Sequence, residues 1–230
     1  MNAQTIGARL TEVLGRIRAA ERRNGRPDGS VALVAVSKRH RTEAIRAAYT
    51  AGQRAFGENY VQEAMAKQAE LADLAIEWHF IGRIQGNKTR QIAEHFSWVH
   101  SLCDLHHARR LCDQRPAQLP PLQACIQVNT SGEASKEGLA PAEVAGFLAG
   151  CAGLERLRIR GLMTLPAPAS NEEAKRRPLR ALRELRDRLA SPTQPLEVLS
   201  MGMSDDLEAA VAEGATLVRI GTAVFGPRPV

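Results

Sequence analysis

Lys38 stands two positions beyond the apolar run Val31 to Val36, so a buried strand would present a primary amine at its carboxyl end. A lysine amine has a reference pKa near ~10.4; once burial or a nearby cation lowers it, the amine can form a Schiff base with a carbonyl compound. Taken alone, a lysine at that place reads equally well as the first polar residue of a loop. Two later stretches bear on the choice. Ser200 to Asp206, SMGMSDD, puts two hydroxyls and a glycine ahead of a helix start, and Arg219 to Gly226, RIGTAVFG, puts Gly221 and Thr222 at the end of the last strand. Both suit an anion, because free N–H groups and a backbone without a β-carbon can approach it closely. Asp205 and Asp206 would repel such an anion if they faced inward, and Ser204 could serve simply as a helix cap.

These residues meet only if strands and helices alternate around one centre. Ile6, Leu10, Val13, Leu14 and Ile17 mark one face of an opening helix across Asn2 to Asn24, ended by Asn24-Gly25 and Pro27. Val31 to Val36 is continuous and β-branched, as in a strand covered on both faces. Further strands are expected at Arg54 to Phe56, Trp78 to Ile81, Ser97 to Leu102, Leu122 to Asn129, Leu157 to Met163, Leu196 to Leu199 and Thr216 to Ile220. Helices are expected from Thr42, Tyr60, Thr89, Asp104, Pro141, Glu172 and Asp205. Eight such units in 230 residues predict an α/β fold, a single (β/α)8 barrel over residues 1–230, rather than an open doubly wound sheet. The opening helix would cover the place of a missing eighth helix. In this fold the carboxyl ends of the strands are the working face. Polar residues expected there include Lys38, Gly57-Glu58-Asn59, Gly82-Arg83, Asn129 to Ser131, Thr164, Ser200 to Ser204 and Arg219 to Thr222.

Composition narrows the partners. A net charge of +6 invites nucleic acid, but the densest basic stretch, Lys175 to Arg188, is interleaved with Glu184 and Asp187 as on a solvated helix face. Aromatic residues make up 4% of the chain, too few for base-stacking platforms, so no nucleic-acid partner is expected and a small phosphate-bearing acid suits the charge as well. No apolar run exceeds the six residues Val31 to Val36 and no signal pattern opens the chain, which predicts a cytoplasmic location and no membrane partner. The cysteines at 103, 112, 125 and 151 have neither metal-ligand nor disulfide-framework spacing, so no metal is expected.

An amine after the first strand facing an anion cradle after the seventh and eighth outlines pyridoxal 5′-phosphate, which carries an aldehyde and a phosphate on one ring. The segments AVSK, FGENYVQE, WHFIG-x-x-Q-x-NK, QVNTSGEASKEGL, RGLMT and LSMGMSDDLEAA-x-x-EGAT-x-VRIGTA-x-FG, spread over Val31 to Gly226, closely resemble the pyridoxal phosphate homeostasis protein family. The resemblance implies a barrel of the alanine racemase N-terminal-domain type, with pyridoxal 5′-phosphate held as an internal aldimine on Lys38. It also implies that Ser200, Gly202, Ser204, Gly221 and Thr222 surround the phosphate, that Asn59 lies near the ring, and that Arg219 faces the ring nitrogen. Gly86 stands where the family often has serine, a departure confined to one loop.

An arginine at the ring nitrogen can only donate, which leaves that nitrogen unprotonated and the ring a poor electron sink. Racemases with this barrel are expected to carry a second domain that supplies a tyrosine acid, whereas the tyrosines here are Tyr49 and Tyr60. The expected function is therefore a non-enzymatic holder of the cofactor in intracellular homeostasis, monomeric and able to pass it to apo-enzymes. The alternative is a residual amino-acid racemase with Lys38 as base. His79 could act as a base, but a strand histidine is more often a core residue with a satisfied hydrogen bond and is read so here; Met163, Met201 and Met203 are read as core or pocket filler.

Overall fold

The computed structural model describes residues 3–132 and 137–227. Eight parallel strands close on themselves in chain order: β1 (Ala32–Val36), β2 (Ala55–Glu58), β3 (Glu77–Phe80), β4 (Trp98–Leu102), β5 (Leu122–Gln127), β6 (Leu157–Met163), β7 (Val198–Ser200) and β8 (Leu217–Ile220). Closure comes from β8 pairing with β1, which sets Val34 beside Arg219 and Ala35 beside Ile220. Around the strands run α1 (Ala3–Arg23), α2 (Thr42–Thr50), α3 (Val61–Glu70), α4 (Thr89–His95), α5 (Leu105–Gln114), α6 (Val144–Gly150), α7 (Glu172–Leu189), α8 (Leu207–Ala212) and α9 (Thr222–Phe225). The closed barrel of alternating strands and helices is the architecture that the pattern predicts.

The opening helix packs as expected. Ile6, Leu10, Val13 and Ile17 are buried on α1, which lies against α2, α8 and α9 and so fills the gap in the helical ring beside β8. Arg16 ties it down by donating from Nε to Glu208 Oε1 (2.9 Å) and from Nη2 to the Ser204 carbonyl (3.2 Å).

Boundaries differ from the expectations where tertiary context overrides local pattern. β2 runs on to Glu58, because pairing with β3 carries it past the apolar residues. β7 starts at Val198, since Leu196 has a left-handed φ of 45° that no strand accepts. α9 is an unanticipated single turn after the last strand. The polar loop expected at TSGEASKEG falls partly on residues 133–136, outside the described residues.

Outward strand residues pack under the helices: Phe80 meets Phe96 edge-on at 5.3 Å, and Phe56 lies 6.2 Å from Trp78. The barrel interior, by contrast, holds polar side chains. His79, His100, Ser200 and Arg219 are all buried there. A buried polar group must find a partner, so these four signal a constructed arrangement within the core.

Candidate functional site at the carboxyl ends of the strands

A cavity of about 180 Å³ opens at the carboxyl mouth of the barrel, with Lys38, Asn59, Ser204, Arg219, Gly221 and Thr222 among its lining residues. Six of the eight candidate residues are thus brought together, from the ends of β1, β2, β7 and β8. His40 also lines it, stacked on Phe225 with ring centroids 5.0 Å apart. Local sequence hid His40, because it lies beyond the strand; the left-handed turn at Arg39 (φ 63°) folds it back beside Lys38.

Ser200 and Gly202 are placed differently. Ser200 is fully buried below the cavity, where its hydroxyl accepts from Arg219 Nη1 at 2.5 Å and contacts His100 Nδ1 at 2.8 Å. Gly202 lies in the turn after β7, its carbonyl accepting from the Arg219 N–H at 2.9 Å. Its φ is 102°, and a β-carbon there would come 2.6 Å from Ala210 Cβ. Gly202→Ala is therefore expected to destabilise the protein by roughly 1–3 kcal/mol, read as a lower denaturant midpoint; an unchanged midpoint would contradict the steric argument.

The turn around Ser204 is held from outside. The carbonyls of Ser204 and Asp205 accept from Arg16 Nη2 (3.2 Å) and Lys175 Nζ (2.9 Å). Across a trans peptide the next N–H points the opposite way, so those of Asp205 and Asp206 face away from these side chains. The Asp206 carboxylate does not oppose an anion head-on: its Oδ1 accepts the Met203 N–H at 2.6 Å, and burial raises its pKa.

Lys38 rests on a buried ionic cluster that sequence reading missed. Lys67 Nζ, from α3, donates to Glu58 Oε1 (2.7 Å), Glu63 Oε1 (2.7 Å) and the Ser37 carbonyl (2.8 Å). Ser37 Oγ donates to Glu58 Oε1 at 2.6 Å, and the Arg39 N–H donates to Glu63. Both neighbours of Lys38 are therefore clamped to the β2–α3 unit. Burial raises the pKa of Glu58 against the pull of Lys67. Glu58 Oε2 and Asn59 Oδ1 are buried without a hydrogen-bond partner among the described residues. The spacing that makes Glu63 and Lys67 helix neighbours is legible in sequence, but nothing local points either of them at Ser37.

Arg219 is the electrostatic centre of the site. Its guanidinium donates to Ser200 Oγ and, at 2.9 Å, to the Thr164 carbonyl, and among the described residues it forms no ion pair. Burial lowers its pKa to about 10, with Asp206 and Cys125 opposing, so it stays charged at neutral pH. A buried cation held only by neutral acceptors leaves its charge for a ligand.

Beneath it, His100 Nε2 lies 2.9 Å from His79 Nδ1, and His79 Nε2 lies 2.7 Å from Glu77 Oε1. Burial depresses both imidazole pKa values, that of His100 further because His79 and Arg219 are near. In the unfolded chain an imidazole titrates near ~6.5. Below that pH the unfolded state binds more protons than the folded one, so stability is expected to be highest above about pH 7 and to fall as pH drops through 6.5. Denaturant midpoints at about pH 8 and about pH 5.5 check this; equal values would show that the pair protonates freely in the fold.

Residues 14–229 match the family model for the alanine racemase N-terminal domain. A pyridoxal phosphate homeostasis protein from Pseudomonas aeruginosa is 55% identical over 224 residues, covering 97% of this chain and 96% of the relative. The Escherichia coli K12 protein of the same name is 48% identical over 226 residues, with 97% of each covered. Among solved structures, PipY of Synechococcus elongatus PCC7942 with PLP bound superposes with a TM-score of 0.82 at 40% identity, over 96% of this chain and all (100%) of that one. With near-complete mutual coverage and a shared barrel, the chain belongs to the pyridoxal phosphate homeostasis protein family.

Proposed function

We propose that this protein binds pyridoxal 5′-phosphate at the barrel mouth, holds it reversibly through a Schiff base on Lys38, and yields it to pyridoxal-phosphate-dependent apo-enzymes without turnover of its own. In the binding step the Lys38 Nζ–carbon bond forms and the aldehyde oxygen leaves as water; hydrolysis reverses it. The observation that carries this reading is that Lys38 and Arg219, a buried cation without an ion pair among the described residues, line one small cavity. Relatives named for pyridoxal phosphate homeostasis and a relative solved with PLP support it.

The residues fit the cofactor. Ser204, Gly221 and Thr222, with the inward-facing N–H groups after Ser204, suit the phosphate; Gly202 gives that turn its shape and Ser200 holds Arg219. Asn59 offers a buried oxygen without a donor among the described residues, as a hydroxyl on the ring would supply. Arg219 can give a proton to a hydrogen bond but cannot lose one at neutral pH, so a ring nitrogen facing it stays unprotonated. A site of this kind retains the cofactor while withholding the electron sink that racemisation needs. We assign the protein a cytoplasmic, monomeric role; no described helix is long and apolar enough to cross a membrane.

Titrating the purified protein with pyridoxal 5′-phosphate tests the proposal. Saturable growth of an imine absorbance band, and a mass increase on a Lys38-containing peptide after borohydride reduction, are expected. A protein that stays colourless at saturating cofactor would overturn the binding reading, and sustained α-deuterium exchange into alanine would overturn the absence of turnover.

A further inference from the structure

A file of side chains crosses the barrel interior from the cavity to the opposite mouth. It passes from Arg219 on β8 through Ser200 on β7 and His100 on β4 to His79 and Glu77 on β3, with successive separations of 2.5, 2.8, 2.9 and 2.7 Å. Glu77, the first residue of β3, keeps half of its side chain exposed at the amino-terminal mouth, while the other four are buried. Arg219 alone among them lines the cavity.

Both ends of this file have a single hydrogen-bonding role. A guanidinium has donors and no acceptor, and an ionised carboxylate has acceptors and no donor. Glu77 is ionised: its bond to His79 holds its pKa below the usual carboxylate range, and the Trp98 indole, a donor only, also points to it. His79 stacks on the Trp98 ring at 5.6 Å with an interplanar angle of 4°, which keeps its Nε2 aimed at Glu77.

We infer that the file is a one-way hydrogen-bond relay running from Arg219 to Glu77, and that Ser200, His100 and His79 are positioning residues for the guanidinium in the cavity. Each link follows from its neighbour. A carboxylate at Glu77 requires a proton on His79 Nε2, which leaves Nδ1 of the neutral ring as an acceptor. His100 must then donate from Nε2, so its Nδ1 accepts from the Ser200 hydroxyl, whose oxygen accepts from Arg219 Nη1. The reverse order would set a bare His79 nitrogen against a carboxylate oxygen at 2.7 Å, lone pair to lone pair. No link is left unsatisfied in the forward order, as a buried polar network requires.

Two consequences follow for the site. The only hydroxyl proton of Ser200 is committed to His100, so Ser200 has none to give to a ligand phosphate. Arg219 is oriented without a carboxylate in contact among the described residues, the acceptor that terminates the file being four hydrogen bonds away at the other mouth, and its charge faces the cavity. The assignment deepens the proposed function by naming what sets the arginine, and it rests on that reading only for what Arg219 faces.

Nitrogen-15 NMR of the imidazoles in the cofactor-free protein at neutral pH tests the direction. Both rings are expected as neutral Nε2–H tautomers with Nδ1 accepting; an Nδ1–H tautomer or an imidazolium at either position would overturn the relay. Glu77→Leu removes the acceptor-only end at a half-exposed position that tolerates an apolar side chain, and is expected to mix the tautomers at both histidines. Unmixed tautomers in that variant would show that Glu77 does not set the direction. Ser200→Ala is expected to speed hydrogen exchange of the Arg219 guanidinium roughly tenfold, the loss of one hydrogen bond to a charged group, and unchanged exchange would remove Ser200 from the positioning role. Because every readout is taken without cofactor, a protein that failed to bind pyridoxal 5′-phosphate would still display the relay.

Discussion

Lys38→Ala protein mixed with pyridoxal 5′-phosphate is expected to show no imine band and no borohydride-trapped adduct, while retaining weak non-covalent binding through the phosphate contacts. The lost bond is expected to weaken retention by about 100-fold, or roughly 2.7 kcal/mol. Among the described residues, Lys67 and Lys175 are committed to other partners. Lys67 already donates to three acceptors within 2.8 Å, and its side chain is 8% exposed. Lys175 reaches across the outside of the Asp205 turn. Unfolding curves for the variant, measured beside those of the wild type, separate loss of the imine from loss of the fold. A variant that kept an undiminished imine band would transfer the covalent role to another amine and refute the assignment of Lys38.

The second large effect is expected from a residue outside the cavity. Removing the charge with Lys67→Met leaves Glu58 buried with Glu63 beside it and no cation, and the expected cost is about 3–5 kcal/mol of stability. The Ser37 carbonyl loses its donor in the same step, which leaves the Arg39 N–H bond to Glu63 to tie the segment carrying Lys38 to α3. Glu58 already has a pKa raised by burial, so the lone carboxylate would take up a proton and the loss should be smaller in acid. Adding Glu58→Gln removes the orphaned charge and keeps an acceptor for Ser37 Oγ. The double variant is therefore expected to be more stable than Lys67→Met alone, a non-additivity that denaturant unfolding of the set would read as a coupling energy. A cost below about 1 kcal/mol for Lys67→Met, the range of an exposed pair, would mean that the cluster does not clamp Lys38.

Much of the architecture was readable because it depends on short-range periodicity. The apolar run of β1 and the capped helix after Asp104, where the Asp104 carboxylate accepts the His106 and His107 N–H groups at 2.7 and 3.1 Å, are local patterns. Repeated eight times, such units leave few topologies. The chemistry of strand ends was readable for the same reason: in a parallel barrel every strand's carboxyl end lies on one face, so Lys38, Asn59, Arg219 and Thr222 share a mouth whatever the register.

By itself, then, the sequence determined the alternation, the closed parallel barrel, the amine and arginine at its mouth, and the family. Only the tertiary structure decided what those two cations lean on. Ser200 and His100 are a hundred residues apart, on the non-adjacent strands β7 and β4, and Arg219 and Thr164 are 55 apart; which interior residues touch depends on barrel stagger and on which strand residues face inward. The same holds for Lys67 reaching Ser37 across thirty residues, and for His40 returned to the cavity by a left-handed turn. A residue type and its spacing give the chemistry available; which buried donor finds which buried acceptor is settled when the core closes, because each must be satisfied within it.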